Sequence, residues 1–335
     1  MLIDFKGYFN QMLKESPFLV VDVGARGGLK QEWSPLKGCL KAIGFEPDAK
    51  EYERLKQNVE NVDVSYYNLA LYSHKSGIPF YVTKAEGLSS IFSPNFDFLK
   101  QFHSSNITGY DLQKKIKLDA DALDNIVPLE KRMQVDFVKI DVEGGAFEVL
   151  QGAKHMLSEG TVVGLRIESE FNEKYKGQHL FSDVDVFLRE FGYELSRITP
   201  CSWKRKQGLK TGGGVGQLIH GEFTYFMSVP LFFDKIRKND QFAFCKLVKY
   251  IIFASMYGQF DLAYQLAAQG QEFGILDRSS KQVVLNALKP SQGFIFRIPK
   301  LQNRGFLREA VYHLFMLIIG TWLKKKGSFR YLIKL

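Results

Sequence analysis

Short apolar runs alternate with stretches of helical spacing over the first half of the chain. Residues 18–23 form a continuous apolar run between Pro17 and Gly24, which is typical of a strand buried on both faces of a parallel sheet. Residues 42–47 predict a second strand that ends at a proline, and residues 48–59 follow with apolar positions at helical spacing. The same patterns predict strands at 62–67, 135–140 and 162–167 and a helix at 147–157. This alternation predicts an α/β fold with a doubly wound sheet and a ligand site at the carboxyl ends of its strands.

Two further regions of the pattern depart from this alternation. Residues 77–82 and the Ser-, Asn- and Phe-rich residues 87–110 predict irregular structure that could form a lid or a substrate-facing loop. Towards the end of the chain the pattern becomes helical, with helices predicted at 242–256 and 262–268 on either side of a turn. We therefore predict a first domain at 1–235 and a helical C-terminal appendage at 236–335.

The formal net charge of +9 is concentrated at one end of the sequence. Residues 297–335 hold nine basic residues and one acid, which gives +8, so the rest of the chain is nearly neutral. This distribution argues against nucleic acid as a partner. The apolar run at 311–323 is shorter than the about 20 residues that span a bilayer. With basic residues on both sides it fits either a peripheral contact with an anionic membrane surface or packing on the preceding helices.

The cysteines and the N-terminal residues bear on the compartment. Cys39, Cys201 and Cys245 are far apart and odd in number, which favours a reducing compartment over a disulfide framework. Residues 1–17 predict an ordinary leading helix, not a secretory signal, because they mix acids and lysines among the apolar positions. We expect a cytoplasmic protein, with association at the inner face of the membrane if residues 297–335 contact lipid.

A glycine-rich turn follows the first predicted strand. Gly24, Gly27 and Gly28 lie between this strand and the next helical stretch, where a backbone without side chains lets a ligand approach closely. Such turns also occur without any ligand. Glu46, 22 residues after Gly24 at the end of the next strand, is placed to accept both hydroxyls of a ribose. Together they favour a nucleoside cofactor but do not distinguish methyl transfer from hydride transfer.

A third motif follows the strand predicted at 135–140. Its sequence, Lys-Ile-Asp-Val-Glu-Gly at 139–144, puts Asp141 and Glu143 at the edge of the sheet where a substrate is expected. With residues 21–28, Phe-Glu-Pro at 45–47 and the segments at 149–153, 170–184 and 216–218, this motif resembles the FkbM family of methyltransferases over residues 15–230. The resemblance implies a class I Rossmann-like methyltransferase fold, S-adenosylmethionine as methyl donor, and O-methylation of a hydroxyl, often on a sugar or a natural product.

The resemblance also assigns residues to the cofactor. It implies that the methionine end is lined by Asp22, Gly24, Ala25 and Gly28, that Glu46 holds the ribose, and that Asn68 and Ala70 lie on the adenine side. Arg26 stands where the family most often has Asn, and it could reach the cofactor carboxylate or point into solvent. Ala146 stands where an acid is usual, which leaves Asp141 and Glu143 as the functional pair.

Methylation of an alcohol requires a base or a metal ion that removes the hydroxyl proton. Asp141 or Glu143 is predicted to accept this proton or to bind a divalent ion such as Mg²⁺ through Asp141, with Glu168 as a further catalytic candidate. His179 is an alternative base, although a surface histidine without a role is the more common case.

We therefore predict an S-adenosylmethionine-dependent O-methyltransferase that acts on a hydroxyl of a sugar, a glycan or a related small molecule. Two alternatives remain: a non-catalytic interaction module with the same fold, and a nicotinamide-dependent oxidoreductase. The second is disfavoured because no Tyr-x-x-x-Lys pair lies where such an enzyme needs its acid. Specificity is expected in the loops at 87–110 and 199–216, and neither the acceptor nor an oligomeric state is predicted.

Overall fold

The computed structural model describes residues 7–57, 63–103, 107–208, 216–236 and 241–288. The strands are β1 (Phe18–Val23), β2 (Leu40–Phe45), β3 (Asp63–Tyr67), β4 (Ala70–Leu71), β5 (Ser76–Thr83), β6 (Leu112–Asp121), β7 (Phe137–Ile140), β8 (Gly164–Glu170), β9 (Tyr193–Trp203) and β10 (Gln217–Met227). The α-helices are α1 (Asn10–Glu15), α2 (Ala49–Gln57), α3 (Phe96–Leu99), α4 (Leu123–Ile126), α5 (Leu129–Arg132), α6 (Ala146–Gln151), α7 (Lys154–Glu159), α8 (Phe181–Glu190), α9 (Val229–Lys235), α10 (Gln241–Met256), α11 (Phe260–Glu272) and α12 (Arg278–Leu288).

Seven strands form the main sheet in the order β3-β2-β1-β7-β8-β10-β9. The first five are parallel, whereas β10 runs antiparallel to both β8 and β9. From β1 the chain adds β2 and then β3 on one side of β1. It later crosses to the other side, where β7 pairs with β1. Strand order therefore reverses between β1 and β7, and ligands of open α/β sheets bind in the crevice outside the carboxyl ends at such a point. The predicted α/β fold, a doubly wound sheet flanked by helices, is confirmed.

The central strands are buried because helices cover the sheet on both faces. All four residues of β7 are buried, as are five of the six residues in each of β1 and β2. Continuous burial explains why these strands appear in the sequence as apolar runs without alternation. The boundaries of β1 match the prediction at 18–23, and the other predicted strands differ from the observed ones by a few residues at their ends.

A second sheet, of three strands, was not predicted. Its order is β4-β6-β5, and β5 and β6 form a long antiparallel pair. The prediction of irregular structure at 77–82 was wrong, because these residues lie within β5. Gly77 and Pro79 suggested a loop, but β5 is an edge strand, where both residue types are tolerated.

The helix predicted at 147–157 is divided into α6 and α7. Gly152 lies at the break, and a Cβ atom at this position would lie 2.1 Å from the backbone oxygen of Tyr72. Glycine is required at this break because the chain between β4 and β5 approaches its backbone too closely for a side chain.

The helices after residue 240 pack on the main sheet. Phe253 of α10 contacts Phe18 and Phe137 with ring centroids 5.0 and 4.9 Å apart, and Tyr257 stacks on Phe137 at 5.2 Å. The described residues up to 288 belong to one compact unit, so the boundary predicted at 235/236 lies within it. The predicted helical appendage is, over its described part, a component of the same hydrophobic core.

Several sequence predictions concern residues outside the described part. The basic residues of 297–335, the apolar run at 311–323 and part of the loop at 199–216 are among them. Among the residues that are described, no helix is both long enough and apolar enough to cross a bilayer.

Candidate active site

A cleft lies at the carboxyl ends of β1, β2 and β7, where the strand order reverses. It encloses about 810 Å³ of empty space, part of which is open to solvent. The cleft is lined by Val23, Gly24, Arg26, Phe45, Glu46, Pro47, Asp48, Leu69, Ala70, Leu71, Phe80, Val82, Glu86, Gly87, Ser89, Ile91, Asp141, Val142, Glu143 and Gly145. Of the residues predicted to form the site, Gly24, Arg26, Glu46, Ala70, Asp141 and Glu143 meet around it. Asp22, Ala25, Gly28, Asn68 and Glu168 do not line it.

The glycine turn brings two walls of the cleft together. Gly24 has a φ of +79°, and a Cβ atom there would lie 2.0 Å from the backbone oxygen of Asp141. The turn is thus a tight contact between the chain after β1 and the chain after β7. Ala25 is buried under the turn, the N–H of Gly27 donates to Glu51, and the N–H of Gly28 donates to the oxygen of Ala25. Packing therefore requires a glycine at position 24, whereas Gly27 and Gly28 have φ values of +85° and +79°, a backbone conformation that favours glycine.

Glu46 is a buried acid at the end of β2. Only 4% of it is exposed, and its Oε1 accepts the N–H of Asp48 at 2.9 Å. Burial raises the pKa of Glu46 above its ordinary value, and the hydrogen bond from Asp48 acts in the opposite direction. A carboxylate held in this way has little water to solvate it, so it is prepared to accept hydrogen bonds from a ligand.

Arg26 and Asn68 are occupied by protein groups. The guanidinium of Arg26 forms ion pairs with Asp48 at 3.2 Å and with Glu86 at 3.0 Å. From the sequence, Arg26 was expected to reach the cofactor carboxylate or to point into solvent. It does neither, and instead bridges Asp48 and Glu86. The side-chain amide of Asn68 donates to the backbone oxygens of Glu46 and Pro47, both at 3.0 Å. Asn68 therefore holds the chain after β2 in place and does not face the cleft.

A row of charged side chains, of which Asp22 and Lys139 are buried, lies next to the glycine turn. Asp22 and Lys139 are neighbours across β1 and β7, with Oδ1 of Asp22 2.9 Å from Nζ of Lys139. Oδ2 of Asp141 lies 3.4 Å from the same ammonium and 3.9 Å from that of Lys30. Burial lowers the pKa of Lys139, but the carboxylates of Asp22 and Asp141 outweigh it and leave this pKa raised. Asp141 therefore lies near the ammonium groups of two lysines, and Asp22 forms an ion pair with Lys139.

Glu143 belongs to a second charge cluster. It has a φ of +44°, and its Oε2 accepts hydrogen bonds from Nζ of Lys174 at 2.8 Å and from the hydroxyl of Tyr175 at 2.9 Å. Nζ of Lys174 also lies 3.0 Å from Glu170 and 3.8 Å from Glu168. Burial lowers the pKa of Lys174, but Glu143 and Glu170 raise it by more, so that it lies well above its ordinary value.

The two histidines near these elements differ in their surroundings. His179 lies 2.7 Å from Glu148 and packs against the ring of Phe147, and it does not line the cleft. The structure therefore gives no support to His179 as a base. His220, on β10, lies 3.3 Å from Oε1 of Glu168. Sequence reasoning missed His220 because β10 itself was not predicted.

The second sheet and the segment between β5 and β6 close one side of the cleft. Phe80 and Val82 of β5 and residues 86–91 contribute to its lining. The segment at 87–103 is fastened by isolated bridges of Tyr81 with Ser90, Pro94 with Tyr175, and Phe102 with Arg205. The predicted lid-like loop thus includes part of the cleft wall, although much of it is tied to the rest of the domain.

Comparison with known families identifies this arrangement. The model of the methyltransferase FkbM domain matches residues 22–195, just over half of the chain. The chain belongs to the FkbM methyltransferase family. It is accordingly a methyltransferase of the S-adenosylmethionine-dependent class, as the resemblance implied. A comparison with curated proteins finds no match to this FkbM-domain protein.

A comparison with solved structures finds matches of low sequence identity. One is magnesium protoporphyrin IX methyltransferase from Synechocystis PCC 6803 with bound S-adenosylmethionine, with 13% identity and a TM-score of 0.32. That match covers 68% of this chain and 81% of the other. Another is precorrin-6y C5,15-methyltransferase from Geobacter metallireducens GS-15, with 13% identity, a TM-score of 0.31, and coverage of 66% and 87%.

Proposed function

We propose that the cleft binds S-adenosylmethionine and that the enzyme transfers its methyl group to a hydroxyl of a sugar, a glycan or a related small molecule. One observation carries the proposal. A buried acid, Glu46, and the acid-bearing chain after β7 line the same cleft at the strand-order reversal. The acid suits a ribose, and the chain with Asp141 and Glu143 lies where the reacting groups of α/β enzymes gather.

The cleft residues fit this cofactor in three parts. Glu46 would accept the ribose hydroxyls. Leu69, Ala70 and Leu71 provide an apolar surface suited to the adenine ring. Gly24 and the chain beside it would adjoin the methionine end, while Asp22, Ala25 and Gly28 support this turn from within. Asn68 would act only by holding the backbone of Glu46.

The reaction requires alignment and removal of a proton. The bound cofactor supplies an electrophilic methyl group, and the protein must hold the acceptor oxygen in line with it. The second sheet and residues 86–91 would shield this side of the cleft from water. Asp141 lies close to two lysines and Glu143 accepts two hydrogen bonds, so both are better suited to positioning groups than to accepting a proton. Glu168, the third acid predicted to be catalytic, does not line the cleft.

Two measurements test the proposal. The first is calorimetric titration with S-adenosylhomocysteine and with NAD, and the second is methyl transfer from labelled S-adenosylmethionine to a panel of methyl glycosides. We expect binding of S-adenosylhomocysteine alone and labelling of at least one glycoside. Binding of NAD instead would favour an oxidoreductase. Binding of neither would indicate an interaction module, and labelling of amines but not of any hydroxyl compound would contradict the acceptor class.

The affinity for S-adenosylhomocysteine should depend on the ionisation of Glu46. Only the carboxylate can accept both ribose hydroxyls, and its pKa in the free protein is raised by burial. We therefore expect binding to weaken as the pH falls through this raised pKa, starting above the range of an ordinary glutamate. Titrations of the wild type and of Glu46→Gln across this range measure the effect. If the affinity for S-adenosylhomocysteine changed with pH in the same way in both proteins, Glu46 would not contact the ribose.

The partners predicted at the end of the sequence remain proposals. We propose that residues 297–335, which lie outside the described part, bring the enzyme to an anionic membrane surface on the cytoplasmic side. The concentration of basic residues around an apolar run supports this. Co-sedimentation with phosphatidylglycerol vesicles at low salt, with and without these residues, is the test, and equal sedimentation of both forms would contradict it.

A further inference from the structure

A second cavity lies along the edge of β5 that does not pair with β6. It encloses about 540 Å³ of empty space, part of which is open to solvent, and its lining includes Tyr72, Tyr81 and Phe92. Tyr81 and Ser90 exchange backbone hydrogen bonds of 2.8 and 3.2 Å at this edge. Pro79, two residues before Tyr81, has no N–H with which to continue the pairing. The two segments therefore separate, and both of them line the cavity that remains between them.

The second cavity adjoins the cleft of the candidate active site. Ile91 lines both spaces. Phe80 lines the cleft, whereas Pro79 and Tyr81, its neighbours on β5, line the second cavity, because successive side chains of a strand point to opposite faces. A Cβ atom at Gly145, in the chain after β7, would lie 3.2 Å from Cδ1 of Ile91. A ligand in the second cavity would therefore lie one side chain away from the cleft.

Lys176 brings a positive charge to the second cavity. It contributes to the lining, and its backbone is held in place because its N–H donates to the oxygen of Ser93 at 2.8 Å. Nζ of Lys176 lies 3.6 Å from a carboxylate oxygen of Asp97, but the two side chains are 57% and 89% exposed. An ion pair this exposed contributes little to stability, so the ammonium group can exchange Asp97 for an anionic ligand.

Two further lysines share a face of the second sheet with residues of this cavity. Lys115 and Lys117 of β6 are the register partners of Tyr81 and Pro79, respectively. Residues directly opposite each other in an antiparallel pair lie on the same face, and Nζ of Lys115 lies 5.0 Å from the centroid of the Tyr81 ring. Asp119 follows on the same face of β6. With the ion pair described above, lysines outnumber acids among these residues.

Aromatic rings beside lysines suit a sugar that carries an anionic group. The face of a sugar ring that bears C–H bonds packs on aromatic side chains, and tyrosine hydroxyls can form hydrogen bonds with the hydroxyls of the sugar. Tyr72, Tyr81 and Phe92 offer both kinds of contact. A carboxylate or a phosphate on the sugar would form a charge-assisted hydrogen bond with a lysine. These contacts favour an anionic sugar over a purely apolar ligand, which would gain nothing from the lysines.

We propose that the second cavity binds the methyl acceptor and that this acceptor is an anionic sugar, with a carboxylate or a phosphate near Lys176. The inference rests on the proposed O-methyltransferase function, in which the cleft holds the methyl donor. The sugar ring would pack on Tyr72, Tyr81 and Phe92 and extend past Ile91, so that one of its hydroxyls reaches the cleft. The aromatic residues would determine the affinity for the ring, and Lys176 would determine the preference for charge.

The first test detects binding without methyl transfer. Isoleucine δ1-methyl NMR spectra would be recorded with S-adenosylhomocysteine and with methyl glycosides of several hexoses, their uronic acids and their 6-phosphates. Ile78→Val and Ile91→Val would assign the two signals, since Ile78 lines the second cavity but not the cleft and Ile91 lines both. We expect S-adenosylhomocysteine to shift Ile91 and not Ile78, and an anionic sugar to shift both. Ile251, buried in α10, is the control and should not shift.

The outcomes of this test separate the inference from the proposed function. If no sugar shifts the signal of Ile78, or if the enzyme methylates a sugar that does not shift it, the acceptor is not bound in the second cavity. If an anionic sugar shifts Ile78 but S-adenosylhomocysteine does not bind, the proposed function is wrong, and the second cavity is a sugar site without a role in methyl transfer.

The second test measures the preference for charge. We expect the wild type to bind the uronic acid or the 6-phosphate of a methyl hexoside roughly tenfold more tightly than the neutral sugar. Lys176→Gln should lose most of this preference and bind the neutral sugar as before. Lys56→Gln is the matched control, because Lys56 is 51% exposed and lies 3.7 Å from Glu53.

The form that the wild type binds more tightly decides between a carboxylate and a phosphate as the anionic group. Equal affinities of the wild type for the neutral and both anionic sugars would overturn the assignment of an anionic acceptor. The same preference in the wild type and in Lys176→Gln would overturn the role of Lys176.

The third test concerns the aromatic lining. Tyr72→Leu keeps an apolar side chain but removes the ring, so the affinity for the neutral sugar should fall roughly threefold to tenfold. The affinity for S-adenosylhomocysteine should stay unchanged, as evidence of folding. Tyr264→Leu, at a tyrosine of α11 that is 55% exposed, is the matched control. An unchanged affinity for the sugar in Tyr72→Leu would overturn the packing of the sugar ring in this cavity.

Discussion

Replacing Asp136 with asparagine is expected to lower the free energy of unfolding by about 3–5 kcal/mol. Asp136 is completely buried before β7, and its two oxygens lie 2.6 and 3.0 Å from the ammonium groups of Lys246 and Lys249. Both lysines project from α10 and are themselves buried. The substitution keeps the shape of the side chain but leaves two buried cations without a counter-charge. Denaturation by urea, followed by circular dichroism, measures the loss.

The surface pair of Lys41 and Asp63 provides the matched control. Its atoms are 3.2 Å apart, but both side chains are more than half exposed. Asp63→Asn should therefore change stability by less than about 1 kcal/mol. Adding Lys246→Met to Asp136→Asn should recover part of the loss, since one buried cation is removed. Equal stabilities of Asp136→Asn and Asp63→Asn would show that the lysines of α10 are not charged in the folded protein.

These two lysines show what a sequence pattern leaves undetermined. The apolar pattern at 242–256 correctly indicated α10, and the spacing of three puts both lysines on one face of this helix. The pattern did not indicate that this face is buried against the start of β7, because Asp136 lies 110 residues earlier in the chain. Two lysines on one face of an otherwise apolar helix indicate that an acid elsewhere in the chain pairs with them, because buried charges need a partner.

The parallel half of the main sheet could be predicted because burial on both faces produces continuous apolar runs. β1 is the clearest case, since Pro17 and Gly24 mark its ends. The antiparallel part was missed for the opposite reason. β9 is an edge strand in which only one of eleven residues is buried, so its sequence has little apolar pattern. The mixture of Gly77 and Pro79 in β5 concealed a second edge strand in the same way.

The candidate site was predictable where its residues follow parallel strands directly. Gly24, Glu46 and Asp141 follow or end three such strands, and these strands are neighbours in the sheet, so their carboxyl ends meet at one cleft. The contacts of Lys174 and His220 depend instead on an antiparallel strand and on the chain path after β8. Glu168 and Glu170 alternate on one face of β8, and the lysine four residues after Glu170 was the available signal for their partner.

Glu46→Gln is expected to weaken binding of S-adenosylhomocysteine roughly ten- to a hundredfold, which corresponds to about 1.4–2.8 kcal/mol. The amide oxygen can still accept the N–H of Asp48, so the backbone after β2 should keep its position. The amide nitrogen, however, presents hydrogen atoms where the carboxylate would accept a ribose hydroxyl. Because burial excludes water from this position, no solvent molecule can substitute for the lost acceptor.

Isothermal titration calorimetry of the wild type, Glu46→Gln and Glu53→Gln would measure the effect. Glu53 is an exposed acid on α2 that does not line the cleft, and its variant carries the same change of charge. The two variants therefore separate a direct contact with the ribose from the general effect of one lost negative charge. A loss of affinity in both would assign the effect to long-range charge, which added salt should screen. A loss in Glu46→Gln alone that persists at high salt would require a contact at this buried acid.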